Sequence, residues 1–127
     1  MSDRIKVLVV EDDAPTRLLI HDVLDLEGYQ VSAVADGLSA LQAVRQIRPD
    51  AIVLDAMIPG MDGFSVLKEI RADSSVRDTP VVMLTAMDGA HETWEGWKSG
   101  CDYYMTKPFE PEDLTAVVRR LALGAGV

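Results

Sequence analysis

Three short aliphatic runs constrain this chain most: 5–10 (IKVLVV), 51–54 (AIVL) and 81–84 (VVML). Each has at most one polar interruption, and each stops at a polar side chain, Glu11, Asp55 and Thr85 respectively. A strand with one wet face alternates apolar and polar residues. One that is apolar throughout is covered on both sides, as in the centre of a parallel sheet with helices on each face.

The intervening segments supply those helices. After Glu11, Asp12 and Asp13, Pro15 pre-sets a helical turn, and Leu18, Leu19, Val23 and Leu26 recur at helical spacing until Gly28. Residues 29–35 are of mixed polarity and read as an edge strand. Asp36-Gly37 marks a turn, and Leu38, Leu41, Val44 and Ile47 outline a second helix ending before Pro49. Phe64, Leu67 and Ile70 mark a third, ended by the polar segment 72–79, and a fourth lies in 90–99, closed by Gly100. A fifth strand, 103–106, is of mixed polarity and ends at Lys107-Pro108. Residues 110–121 form the last helix, with acids first, Arg119 and Arg120 last, and Leu114, Val117, Val118 and Leu121 facing inward.

Five strands alternating with five helices make an α/β fold with a parallel sheet and right-handed crossovers. Placing the apolar strands centrally and the mixed ones at the edges requires the order 2-1-3-4-5, with the winding reversed between strands one and three. Glu11, Asp12 and Asp55 then converge on one crevice, beside a loop made irregular by Pro59, Gly60 and Gly63. Thr85 and Lys107 reach the same sheet edge.

Three clustered carboxylates repel one another by ~1–4 kcal/mol per pair at 4 Å, depending on the dielectric. A bridging cation relieves this, and an oxygen-only donor set without His or Cys favours Mg²⁺ or a similar hard ion over zinc. Carboxylate, divalent cation, hydroxyl and ammonium together describe a phosphoryl-transfer site with a carboxylate nucleophile.

Composition narrows the setting. A length of 127 residues suits one domain, and the formal net charge of −9 opposes binding to nucleic acid or an anionic membrane surface. Cys101 is the only cysteine, which excludes an intrachain disulfide and fits a reducing, cytoplasmic compartment. The apolar run near the N-terminus is too short for a signal h-region.

Four motifs in register, VVEDD (9–13), LDAMIPGMDG (54–63), LTA (84–86) and TKPF (106–109), make the chain resemble a response-regulator receiver domain, the CheY-like family of two-component signalling. The resemblance covers essentially the whole chain and implies a flavodoxin-like, CheY-like fold: a single receiver domain over 1–127, ordered over about 4–122. It implies Asp55 as phosphoacceptor. The Mg²⁺ site, with Mn²⁺ as substitute, would comprise Asp12, Asp55, the Met57 backbone carbonyl and Glu11 through water. Thr85, Lys107 and backbone N–H groups at Met57 and Ala86 would bind phosphoryl oxygens. A cis Lys107-Pro108 bond would aim Lys107 into the pocket. Thr85 and Tyr104 would form the switch, which biases the surface of the fourth helix, fifth strand and fifth helix.

The same resemblance implies a sensor histidine kinase or phosphotransfer protein as donor, and an effector protein or fused output domain as target. The domain would be a monomer or a phosphorylation-dependent dimer, and no enzyme beyond its own phosphorylation and dephosphorylation. Alternatives are a phosphorylation-independent pseudo-receiver, an aspartyl phosphatase, and, on fold alone, a flavin carrier. The phosphatase type puts its nucleophile on the first strand as D-x-D, where this chain has Glu11-Asp12-Asp13.

Other residues read more simply. Asp13 suits a helix N-terminus, His21 and His91 have no assigned chemistry, and Cys101 is a small buried residue. Trp94 and Trp97, three apart on the fourth helix, read as core or groove filler, with an exposed indole on the signalling face as the lesser reading. Tyr103 stands where many DNA-binding family members carry an acid that pairs across a dimer, which counts against that dimer. Met57 and Met87 flank the pocket, where apolar chains would hinder hydrolytic water. The ending LALGAGV reads as a tail or the start of a linker.

Overall fold

Five strands, β1 (Lys6–Val10), β2 (Gln30–Val34), β3 (Ala51–Asp55), β4 (Val81–Thr85) and β5 (Tyr103–Thr106), form one parallel sheet in the order β2-β1-β3-β4-β5. This is a computed structural model describing residues 4–86 and 100–124. The helix expected at 90–99 lies outside those residues, with Met87, His91, Trp94 and Trp97. The described helices are α1 (Ala14–Leu26), α2 (Gly37–Ile47), α3 (Gly63–Ala72) and α4 (Pro111–Leu123).

The expected order and edges are present, and their cause is visible in the burial. Every residue of β3 and β4 is buried, whereas β2 and β5 have no buried residue. Alternate side chains divide the core. Leu8, Val10, Ile52, Leu54 and Met83 pack with α2 and α3, while Val7, Val9, Val53, Val82 and Leu84 pack with α1 and α4. Asp55 and Thr85 are the last residues of β3 and β4, one position later than the apolar runs alone indicate.

Helix α1 corrects the reading from periodicity. Its buried residues are Ile20 and Leu24, whereas Leu18, Leu19 and Leu26 are exposed, Leu26 by 85 %. At about 100° per residue the helix carries two apolar arcs, and the arc of Ile20 and Leu24 is the one that meets the sheet. Leu38, at the start of α2, is likewise exposed, while Leu41 and Val44 are buried.

Three helices start the same way. The side chains of Asp13, Asp36 and Asp62 accept hydrogen bonds from the backbone N–H of Thr16, Ser39 and Ser65, satisfying donors that a helix N-terminus leaves open. Two helices also open on a glycine demanded by close approach. A Cβ on Gly37 would lie 2.4 Å from the Met61 carbonyl oxygen, and one on Gly63 would lie 2.4 Å from that of Asp55. Helices α2 and α3 therefore pin the loop leaving β3 from two sides.

Gly63→Ala is expected to destabilise the fold by about 1–3 kcal/mol, because the new methyl group meets backbone rather than a side chain that can turn away. Urea unfolding checks this; an unchanged midpoint would show that α3 retreats freely from β3.

Candidate functional site

The sheet order brings five side chains, from the ends of four strands, to one edge. Val10 is paired with Leu54, so Glu11 and Asp12 leave β1 beside the end of β3. Asp55 pairs with Leu84, placing Thr85 next on the neighbouring strand. The Lys107 N–H donates to the Thr85 carbonyl at 2.6 Å, holding the chain after β5 against β4. Glu11, Asp55 and Thr85 are the buried polar side chains among the described residues, at 1, 3 and 0 % exposure.

Lys107 joins the two buried acids. Its Nζ lies 2.7 Å from Glu11 Oε1 and 2.9 Å from Asp55 Oδ2. The other oxygen of each carboxylate accepts a backbone N–H: Glu11 Oε2 from Asp13 at 3.1 Å and Asp55 Oδ1 from Met57 at 3.0 Å. Asp12 completes the group. One carboxylate oxygen from each of Glu11, Asp12 and Asp55 lies within 4.8 Å of the others. Asp12 is exposed, so the cluster has one face open to solvent and two members within the protein.

Burial pushes the Glu11 carboxyl up to about 7; the Lys107 ammonium pulls the other way, and the nearby Asp55 carboxylate adds to the rise. Burial works against the charge on Lys107, but hydrogen bonds to Glu11 and Asp55 prevail and hold its pKa above the ordinary lysine value. An all-oxygen trio with an open side suits a hard divalent cation.

The other expected site residues surround this group. The Met57 side chain is exposed, and the Ala56 N–H, just before it, donates to the Leu84 carbonyl at 2.7 Å. Ala86 follows Thr85 and is exposed. The Lys107-Pro108 peptide bond is cis. Tyr104 is half-buried beside Met83 and packs on the α2–α3 side of the core. Asp13 caps α1 through Thr16, whose hydrogen bonds hold the Asp13 carboxyl below its usual range.

The family model described as "Response regulator receiver domain" matches residues 7–119. The chain belongs to that family. Relatives of this receiver domain include the DNA-binding response regulator MtrA of Mycolicibacterium paratuberculosis. It is 46 % identical over 116 residues, or 91 % of this chain and 50 % of MtrA. The chain thus spans about half the length of the curated relatives it matches. Among solved structures, the receiver domain of the Francisella response regulator 1452 is 37 % identical, with a TM-score of 0.87, covering 94 % of this chain and 98 % of its own. The receiver domain of the sensor histidine kinase PA1611 of Pseudomonas aeruginosa is 32 % identical, with a TM-score of 0.89, covering 95 % of this chain and 99 % of its own. That structure has a magnesium ion coordinated in its active site cleft.

Sequence reasoning overlooked two supports of the site. Gly63 lets α3 approach the carbonyl of Asp55, and Arg17 reaches back from α1 to the Glu11 and Asp12 carbonyls. The loop glycines were visible, but not the contact each one permits. Nothing in the spacing of Arg17 distinguishes it from a surface arginine.

The Glu11 shift sets a pH dependence. Its pKa is raised on folding from an ordinary 4.5 to about 7, so the folded state holds the proton more tightly. The resulting stability is complete below about 4.5 and is lost as pH rises through about 7. In EDTA, the stability of the wild type relative to Glu11→Gln is therefore expected to fall across that interval and then level off. Paired urea titrations check it, and a constant difference would overturn the assignment.

Proposed function

We propose that the chain is a phosphoacceptor domain in which Asp55 takes a phosphoryl group from a phosphohistidine on a sensor kinase or phosphotransfer protein. The observation that carries this reading is the pairing of Lys107 with both Glu11 and Asp55, with Asp12 in the same cluster. An oxygen of the Asp55 carboxylate attacks phosphorus, the bond from phosphorus to the imidazole nitrogen breaks, and the imidazole leaves with the electron pair. Lys107 follows the charge from the carboxylate to the phosphoryl oxygens. Thr85 supplies a hydroxyl, and the N–H groups of Met57 and Ala86 supply further donors.

Asp12, Asp55 and the Met57 carbonyl would hold Mg²⁺, with Glu11 acting through water. When bound, the ion supplies positive charge where negative charge accumulates on the transferred group. The chain's own part is to hold Asp55 with both oxygens engaged and one side of the cluster open.

The output is a change of docking surface. Thr85 moves toward the phosphoryl group and Tyr104 turns inward, biasing the surface of β5 and α4 toward a second arrangement. Two grooves of about 350 and 310 Å³ along β5 and α4, both lined by Tyr103, Val117 and Arg120, suit the docking of an effector or fused output domain. The DNA binding named for MtrA belongs to a protein about twice as long. Within a longer regulator that task falls outside this acidic domain. A cytoplasmic setting suits this role, and no described helix is long and apolar enough to cross a membrane.

With acetyl phosphate or phosphoramidate and Mg²⁺, the intact protein is expected to gain the mass of one phosphoryl group. Asp55→Asn should gain none, and EDTA should suppress the gain. No gain in the wild type would favour the pseudo-receiver, whereas turnover of added phosphomonoesters would favour the phosphatase. A second expectation concerns lifetime. Met57 shields the acyl phosphate from water, so Met57→Asn should hydrolyse it several-fold faster; an unchanged rate of mass loss would remove that role.

A further inference from the structure

Asp12 differs from the other two acids of the cluster in how it is held. Both oxygens of Glu11 and both of Asp55 have hydrogen-bond partners. No described residue donates a hydrogen bond to the Asp12 carboxylate, and it is exposed. Its position therefore rests on the backbone at 11–13. The N–H groups of that backbone are held by β2 and by Glu11 itself, Glu11 N–H donating to the Val34 carbonyl at 3.0 Å and Asp13 N–H to Glu11 Oε2 at 3.1 Å. Its carbonyls are held by Arg17, whose N–H donates to the Asp13 carbonyl at 2.8 Å and whose Nη1 reaches the carbonyls of Glu11 at 2.9 Å and Asp12 at 3.3 Å. Three consecutive carbonyls at the turn from β1 into α1 thus accept hydrogen bonds from one side chain and its own amide.

We infer that Arg17 is a positioning residue for divalent-cation binding, holding the 11–13 turn so that the Asp12 carboxylate faces the ion site. This rests on the reading of Glu11, Asp12 and Asp55 as that site. Positioning by Arg17 and the simple electrostatics of its charge act on cation binding in opposite directions. A guanidinium beside three carboxylates weakens their attraction for a second cation, so deleting its charge alone would tighten binding. Loss of positioning weakens it instead. Groups that orient metal ligands without touching the metal typically contribute 10–100-fold in affinity. With the exposed Asp12 free to adjust, the effect should lie near the lower end, roughly tenfold.

The test is Mn²⁺ binding followed by loss of the free-ion electron paramagnetic resonance signal, with Mg²⁺ as competitor, on the whole chain without phosphodonor. Arg17→Met is expected to bind roughly tenfold more weakly. Arg17→Lys, which keeps a cationic donor able to reach the carbonyls, should recover most of the affinity. Urea midpoints measured in parallel separate this from general destabilisation, which would lower the midpoint without moving the affinity of the folded protein. Should Arg17→Met fold poorly, Arg17→Gln, whose tip is too short to span both carbonyls, carries the same expectation.

Equal or tighter binding by the folded Met or Gln variant overturns the inference, as does failure of Lys to rescue. Asp12→Asn and Asp55→Asn are the controls for the underlying reading. If the wild type binds no ion, or binds as well with either control substitution, the assignment of the site itself fails.

Discussion

A single ammonium makes this arrangement of charges tenable. Glu11 and Asp55 are both sequestered from water, and Lys107 lies within hydrogen-bond distance of each. Two carboxylates placed so close would otherwise repel one another in a medium that screens them poorly. Part of the strain is relieved by the proton affinity of Glu11, raised by burial, and part by backbone N–H groups from Asp13 and Met57. Lys107 does the rest from a position 52 residues beyond Asp55 and 96 beyond Glu11 in the chain, so its two ion pairs also tie the end of β5 to the ends of β3 and β1.

That pairing depends on the strand order. With β1 beside β3 and β4 beside β5, the ends of four strands lie along one edge, and the residues following β1 and β5 face the last residue of β3. Shifting β3 by one residue would turn Asp55 to the opposite face and separate it from Lys107. The register is secured by the alternation of core side chains into two layers and by the glycines that let α2 and α3 close on the loop after Asp55. Stability and chemistry therefore make the same demand on this loop. It must be held tightly enough that the Met57 N–H remains aimed at Asp55.

Much of this was legible because the constraint is repeated. Each apolar run can only be a covered strand, and each ends in a residue that belongs to the edge cluster. The inner face of α1 was not legible: aliphatic residues occupy most of one turn after another, and only contact with Val7, Val9 and Val53 selects Ile20 and Leu24 over Leu18, Leu19 and Leu26. Nor could the sequence separate Glu11 from Asp12, adjacent acids with opposite fates, one buried and doubly anchored, the other exposed. Strand alternation predicts opposite faces, but not which face lies within the protein.

That difference between neighbours matters for the proposed chemistry. In the proposed chemistry an aspartyl phosphate would replace one carboxylate charge by the larger negative charge of a phosphoryl group, while the carboxylate becomes part of an acyl phosphate, a mixed anhydride. The ammonium would then be drawn away from the buried edge toward the new group, and Glu11 would lose a partner in proportion. A carboxyl group already biased toward protonation tolerates this better than an obligate anion would. Asp12, exposed and without a hydrogen-bond donor among the described residues, would answer to a cation instead. In the proposed chemistry the buried acid of the pair can thus take up a proton while its exposed neighbour stays open to a cation, and that division of tasks would let a crowded site accept still more negative charge.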